Sequence, residues 1–358
     1  MKRLRPIPIL VSCLLLPASA HAQISLAPPS AQTPAASKPA AKPKAKPPTA
    51  AKNSAVPAAK PAAPAAAPTA TVTPAPIPDD PNVDLVFGAY QRGQYKTAFD
   101  LATKRAQDSA DPKAMTMLGE LYANAMGVKR DYAKAADWYK RAADAGDREA
   151  MFALAMLRIA GRGGPVNHEE AAKLLASSAK LGNPKAAYNL ALLYLDGQTL
   201  PQDVKRAAEL FRVAADAGNP EAQYALATFY KEGTGVEKDI GRAVRLLQAA
   251  SLADNVDAEV EYAIALYNGT GTPKNEAAAV ALLRKAAKQN SPIAQNRLAR
   301  VLVTGQGAPV DKIEGLKWHI VAKTAGKGDP MLDEALADLS PEDRAKVEAA
   351  ARKWLGAK

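Results

Sequence analysis

From Asp111 onward the sequence repeats every 36 residues without an insertion, and a fixed period of that length admits few folds. The first unit, "DPKAMTMLGELYANAMGVKRDYAKAADWYKRAADAG", runs from Asp111 to Gly146. Five more begin at Asp147, Asn183, Asn219, Asn255 and Ser291, the last closing at Gly326. The fourth position is alanine throughout: Ala114, Ala150, Ala186, Ala222, Ala258 and Ala294. The eighth reads Leu118, Leu154, Leu190, Leu226, Tyr262 and Leu298, and the twenty-fifth Ala135, Ala171, Ala207, Ala243, Ala279 and Gly315. A unit this short cannot bury an apolar face alone, so successive units must stack and share one core.

Each unit reads as two helices. The first starts at a capping residue followed in four units by proline, at Asp111-Pro112, Asn183-Pro184, Asn219-Pro220 and Ser291-Pro292. The cap accepts from a free N–H, and proline at the first helical position sacrifices no bond. Apolar residues at positions four, eight, eleven and twelve make one stripe. The second helix carries Trp138 and Tyr139, Leu174 and Leu175, Leu210 and Phe211, Leu246 and Leu247, and Leu282 and Leu283, and ends near Gly146, Gly182, Gly218 and Gly326. Between the helices, "YKEGTGVEKD" (Tyr230–Asp239) has the glycines of a phosphate loop but neither a preceding strand nor a Gly-Lys-Ser/Thr ending. Gly233 and Gly235 instead fall in columns of turn glycines, and Asp239 in a column of helix caps with Asp131, Asn167, Asp203, Asn275 and Asp311. Thr199 and Leu200 replace the usual Gly-Val in the third unit, and Asn290 replaces the closing glycine of the fifth; both predict local bends.

These residues together resemble the Sel1-like repeat, a relative of the tetratricopeptide repeat, continuously from Asp111 to Gly326. The resemblance implies an all-α, right-handed α-solenoid of helix-turn-helix repeats whose first helices line a concave surface. It also implies a protein-binding adaptor of bacterial envelope or signalling assemblies, not an enzyme. A cysteine-rich branch of that family staples each repeat with a disulfide, which a chain whose single cysteine is Cys13 cannot do. Residues 83–110 read as a partial N-terminal hairpin, 111–326 as the six repeats, and 327–358 as capping helices starting near Ser340-Pro341-Glu342.

Upstream, "MKRLRPIPILVSCLLLPASAHAQ" has the basic start, apolar middle and Ala20-His21-Ala22 ending of a secretory signal. Residues 1–22 are therefore expected to be removed, giving a periplasmic or secreted protein. Leu10-Val11-Ser12-Cys13 offers a competing lipoprotein reading, but it strands an apolar run after the cysteine. Residues 23–82, typified by "AASKPAAKPKAKPPTAAKN", are expected to be a disordered Ala/Pro/Lys-rich linker. Most of the net charge of +11 comes from Lys2, Arg3, Arg5, Lys38, Lys42, Lys44, Lys46, Lys52 and Lys60, with no acid before Asp79. The repeats are nearly balanced, which excludes a nucleic-acid-binding face, while the linker lysines could touch anionic envelope polymers. No apolar run after the signal is long enough to cross a bilayer.

Catalytic and cofactor chemistry finds little support. His21 leaves with the signal, His168 and His319 lie in different columns, and no metal or cofactor set can be assembled from them. Ser177-Ser178-Ala179-Lys180 has the Ser-x-x-Lys form of penicillin-interacting enzymes, and Lys323-Thr324-Ala325-Gly326 is a broken Lys-Thr-Gly; no Ser-Asp-Asn accompanies them. Ser178 sits in a small packing column and Lys180 in a solvated one. The leading reading is an exported protein-interaction scaffold. A serine hydrolase of peptidoglycan-related substrates and an envelope tether acting through the linker are the alternatives.

The candidate partner site is a second stripe on the first helices, at positions six, ten and thirteen. It comprises Phe152, Met156 and Ile159; Tyr188, Leu192 and Leu195; Tyr224; and Val260, Ile264 and Tyr267. The end units are more polar there, with Thr116 and Glu120, and with Asn296 and Arg300. A helix apolar on two faces must bury the second against something. Either this stripe floors a groove for an extended peptide or helix, or it packs on neighbouring first helices.

Overall fold

A computed structural model describes residues 84–356, which form sixteen helices and, among the described residues, no strand. The expected signal segment 1–22 and the linker 23–82 lie outside the described residues, as do the two C-terminal residues. A short hairpin, α1 (Leu85–Gln91) and α2 (Tyr95–Ser109), precedes the repeats. The first helices of the six repeats are α3 (Pro112–Asn124), α5 (Arg148–Ala160), α7 (Pro184–Asp196), α9 (Pro220–Glu232), α11 (Val256–Asn268) and α13 (Pro292–Thr304). The second helices are α4 (Tyr132–Asp144), α6 (His168–Lys180), α8 (Val204–Asp216), α10 (Ile240–Leu252), α12 (Glu276–Lys288) and α14 (Lys312–Thr324). The chain ends in α15 (Pro330–Ala337) and α16 (Pro341–Gly356). From α1 to α14 each helix packs on its neighbour in the chain, within a repeat and across the junction to the next, which makes the array an all-α solenoid.

The capping columns hold their helices as the side-chain chemistry requires. Asp131 accepts from Lys134 N at 3.0 Å, Asp203 from Arg206 N at 2.9 Å and Asp239 from Arg242 N at 2.8 Å. Asn183, Asn219 and Asn255 do the same for the first helices at 3.1, 2.7 and 2.9 Å. A second bond closes each turn. The N–H of the second-helix cap donates to the position-twelve carbonyl, as from Asp131 to Tyr122 at 3.1 Å and from Asp239 to Tyr230 at 2.9 Å. Gly235 is left-handed at φ +67°, and a Cβ there would lie 2.8 Å from the Val204 carbonyl, so glycine lets this turn seat on the preceding second helix.

The expected bends in repeats three and five do not occur. Asn290 itself adopts the left-handed conformation, φ 65°, which asparagine tolerates better than most side chains. Around Thr199 and Leu200, α7 and α8 keep the thirteen residues of their counterparts, and Leu200 packs onto the core instead of displacing it.

Small residues mark where helices approach most closely. The position-four alanines are all buried, and so are Ala142, Ser178, Ala214, Ala250, Ala286 and Ala322 on the second helices, each at 0% exposure. Larger side chains, Leu154, Leu175, Phe211, Leu298 and Leu316 among them, fill the space between these contacts. At the C-terminal end α16 lies on α14, burying Val347 and Ala351, with the Trp354 ring edge-on to Trp318 at 4.9 Å.

Candidate partner-binding site

The second stripe is neither free surface nor full core. Phe152, Met156, Ile159, Tyr188, Leu192, Leu195, Tyr224, Ile264 and Tyr267 are all half-buried. Val260 is different. At 4% exposure it belongs to the core beneath repeats five and six, whereas Thr116, Phe152, Tyr188, Tyr224 and Asn296 at the equivalent position stay half-buried. It therefore leaves the set of candidate contact residues. Phe152, Ile159, Tyr188, Leu192, Leu195 and Tyr224 press one side against the central core, while Ile264 and Tyr267 press against the C-terminal one. Tyr188 meets Phe211 of α8 with ring centres 5.6 Å apart. The stripe thus supports the inter-helix core with one edge and shows the other to solvent.

Polar contacts frame it at both ends. In the first repeat Thr116 donates to the Asp147 carboxylate at 3.1 Å, and the Tyr139 hydroxyl donates to Glu120 at 2.9 Å. Burial, then the neighbouring Glu120, pushes the Tyr139 phenol well above its ordinary range, so it stays a donor. Lys231 pairs with Glu261 at 3.1 Å, joining α9 to α11 across a repeat junction. Tyr224 lies nearby, its phenol also pushed up by burial and then by Glu261 and Asp257. In the sixth repeat Arg300 and Asn296 both bind Asp329, ahead of α15. The lysine–glutamate junction and the Asp329 anchor were not read from the sequence, because each partner lies about thirty residues from the other in an unremarkable column.

The residues considered for catalysis are engaged structurally. Ser178 is fully buried and donates to the Arg148 carbonyl at 2.6 Å. Ser177 is exposed and donates to the Lys173 carbonyl at 3.0 Å, and Lys180 is exposed. His319 is fully buried with Nε2 2.8 Å from Asp333 Oδ1, and Lys323, then His319, hold that carboxyl below its ordinary range. Among the described residues no group of three or more His, Cys, Asp or Glu could hold a metal ion, and no helix is long and apolar enough to cross a membrane.

Paired helices in strict tandem, each packed on the next, define a helical-repeat protein. The Sel1 repeat model matches residues 112–147, 148–183, 184–219, 220–255, 256–291 and 292–327, and the chain belongs to the Sel1 repeat family. Its units begin one residue later than the caps used here, at the first helical position. Members of this family are in general protein-interaction scaffolds and typically not enzymes. Among solved structures, a Sel1 repeat protein from Oxalobacter formigenes is 25% identical, with a TM-score of 0.57, over 66% of this chain and 94% of that one. The protein c5321, a protective antigen of uropathogenic Escherichia coli displaying the same repeat fold, is 24% identical with a TM-score of 0.53, over 75% of this chain and 67% of its own. Comparison with curated proteins gives no match.

Proposed function

We propose that this chain is an exported scaffold that holds a partner protein against the first-helix face of repeats two to five, as an extended peptide or an amphipathic helix. One observation carries the reading. Across α5, α7, α9 and α11 a row of aromatic and aliphatic side chains stays half-exposed, where the end repeats place Thr116, Glu120, Asn296 and Arg300. Apolar surface grouped in this way favours binding, and large side chains already braced on one side lose little freedom when a partner covers the other. Export rests on the N-terminal sequence, with a mature protein starting at Gln23 in the periplasm or medium. The serine-hydrolase alternative is not carried forward, since Ser178 is buried and both serine hydroxyls bind backbone carbonyls.

The test places a photo-crosslinking side chain at Met156 or Leu192 in the full-length protein in its host, with exposed Ala176 on α6 as the control position. One dominant protein adduct from both stripe positions and none from Ala176 is the expected result. Equal, heterogeneous capture at all three positions overturns the reading. N-terminal sequencing of the same sample checks for Gln23; an intact Met1 or a lipid-modified Cys13 refutes the export route.

A further inference from the structure

A separate feature lies where α8, α9 and α10 meet. Two arginines meet the hydroxyl of Tyr230 at the end of α9, Arg212 from α8 and Arg242 from α10, and Arg245 of α10 lines the same notch. Arg212 Nη2 and Arg242 Nη1 each donate to the Tyr230 oxygen at 3.4 Å. The Arg242 guanidinium also lies over the Tyr230 ring, 5.6 Å from its centre. With Asp216, Leu226 and Leu246 these residues line an open notch that combines apolar side chains with three basic groups and one acidic group. Tyr230 and Leu226 are buried, while the three arginines are exposed.

The notch lining carries three arginines against one carboxylate, that of Asp216. Arg242 pairs with Asp239 at 3.2 Å, but Arg212 and Arg245 make no ion pair among the described residues. The repeat register shows what has changed. In the third repeat, the residue three after the basic position Arg206 is Glu209, which binds that arginine at 2.8 Å. The equivalent residue in the fourth repeat is Arg245, so a corner that is neutralised in one unit gains a positive charge in the next. The Tyr230 oxygen accepts from two guanidinium groups, which leaves its own proton to be donated outward.

We propose that this notch binds a carboxylate carried beside an aliphatic group, as at the C-terminal residue of a peptide ending in a leucine-like side chain. Guanidinium forks match the two oxygens of a carboxylate, the Tyr230 O–H supplies a third donor, and Leu226 and Leu246 give the aliphatic group a floor. Inorganic phosphate would satisfy the forks but gain nothing from the two leucines. The site is independent of the first-helix stripe, so its failure leaves the proposed scaffold role untouched.

Arginine Nε–Hε resonances of the intact protein give a direct readout at constant ionic strength. N-acetyl-leucine should move the signals of Arg212, Arg242 and Arg245 saturably, with a midpoint of about 1–10 mM for a ligand of this size. N-acetyl-leucinamide should move none of them, and acetate and inorganic phosphate should require at least ~5-fold higher concentration. Arg245→Glu, which restores the charge pattern of the third repeat, should abolish the response while the melting curve is kept; Arg245→Gln serves if that variant fails to fold. Binding of the amide, a lower midpoint for phosphate than for N-acetyl-leucine, or an unchanged N-acetyl-leucine midpoint in the folded Arg245 variant would each overturn the proposal.

Discussion

Lys285 on α12 reaches back to Glu259 on α11, its Nζ 2.6 Å from Oε1 of a glutamate that is 0% exposed. The contact is an ion pair without well-directed hydrogen bonds, since neither carboxylate oxygen has one. The same column holds Gln223 and Gln295, whose Nε2 groups donate to the Ala215 and Ala287 carbonyls at 3.2 and 3.1 Å. A carboxylate has no proton to give to the equivalent carbonyl of Ser251. Glu259→Gln should therefore raise the melting temperature by a few degrees, because a buried charge is replaced by an amide with a waiting acceptor. Lys285→Ala should lower stability by about 1–3 kcal/mol by leaving that carboxylate uncompensated. Thermal unfolding of both variants checks the pair, and a destabilised Glu259→Gln would contradict it.

The first repeat fits a tyrosine where repeats two, four and five have leucine by giving up a methyl group. A Cβ on Gly119 would lie 2.5 Å from Tyr139 Cδ1, whereas repeats two and five pair Ala155 with Leu175 and Ala263 with Leu283. Gly119→Ala alone should cost about 1–3 kcal/mol through overpacking. Adding Tyr139→Leu should recover much of that loss. A double-mutant cycle showing simple additivity would mean that the two side chains do not share the space.

Repeat length, helix caps and turns were legible in the sequence because each is set by residues close together: an Asp or Asn cap bonds the third residue onward, and a left-handed turn declares itself by glycine. Asn290 misled for the same reason, since the backbone demand was visible but not asparagine's ability to meet it. The candidate stripe was legible as a pattern and not as a burial state. Val260 and Tyr188 occupy the same position in different repeats, yet one is core and the other is half-buried against Phe211, and the column pattern carries no sign of that difference. The arginine notch was hidden more deeply. Its members come from three helices and two repeats, and each looks like ordinary surface variation in its own column.

The C-terminal helix should act as a lid on the array. Deleting residues 340–358 removes Val347, Ala351 and Trp354, uncovering Trp318 and the α14 surface beneath. The shortened chain should self-associate and lose the near-ultraviolet circular dichroism signal of the paired indoles. A monomeric truncation with unchanged melting would refute this role.

Stability at that end should depend on acidity. Burial acts to raise the Asp329 carboxyl, but hydrogen bonds from Arg300, with its charge, and from Asn296 and the Met331 N–H outweigh it and hold the group below its ordinary range. A depressed carboxyl contributes in full above its unfolded value of about 3.9 and loses that contribution as pH falls through the folded value. Asp329→Asn should therefore melt lower than the parent at neutral pH. The gap should close as the solution is acidified below about pH 4. A gap independent of pH would contradict the assignment.

A partner held on the exposed edge of the first-helix stripe should depend on the side chains that edge presents. Met156 and Leu192 are the informative positions, because Tyr188 is braced on Phe211 and Val260 is core. The most direct measurement compares the Met156→Glu, Leu192→Glu double variant with the parent in two ways: thermal unfolding, and yield of the partner adduct from a crosslinker at Ile159. Retained helicity, a melting temperature within a few degrees of the parent and loss of the adduct are the expected results. Retained folding with an undiminished adduct would contradict a partner-binding stripe, and a collapse in melting would place these residues in the core.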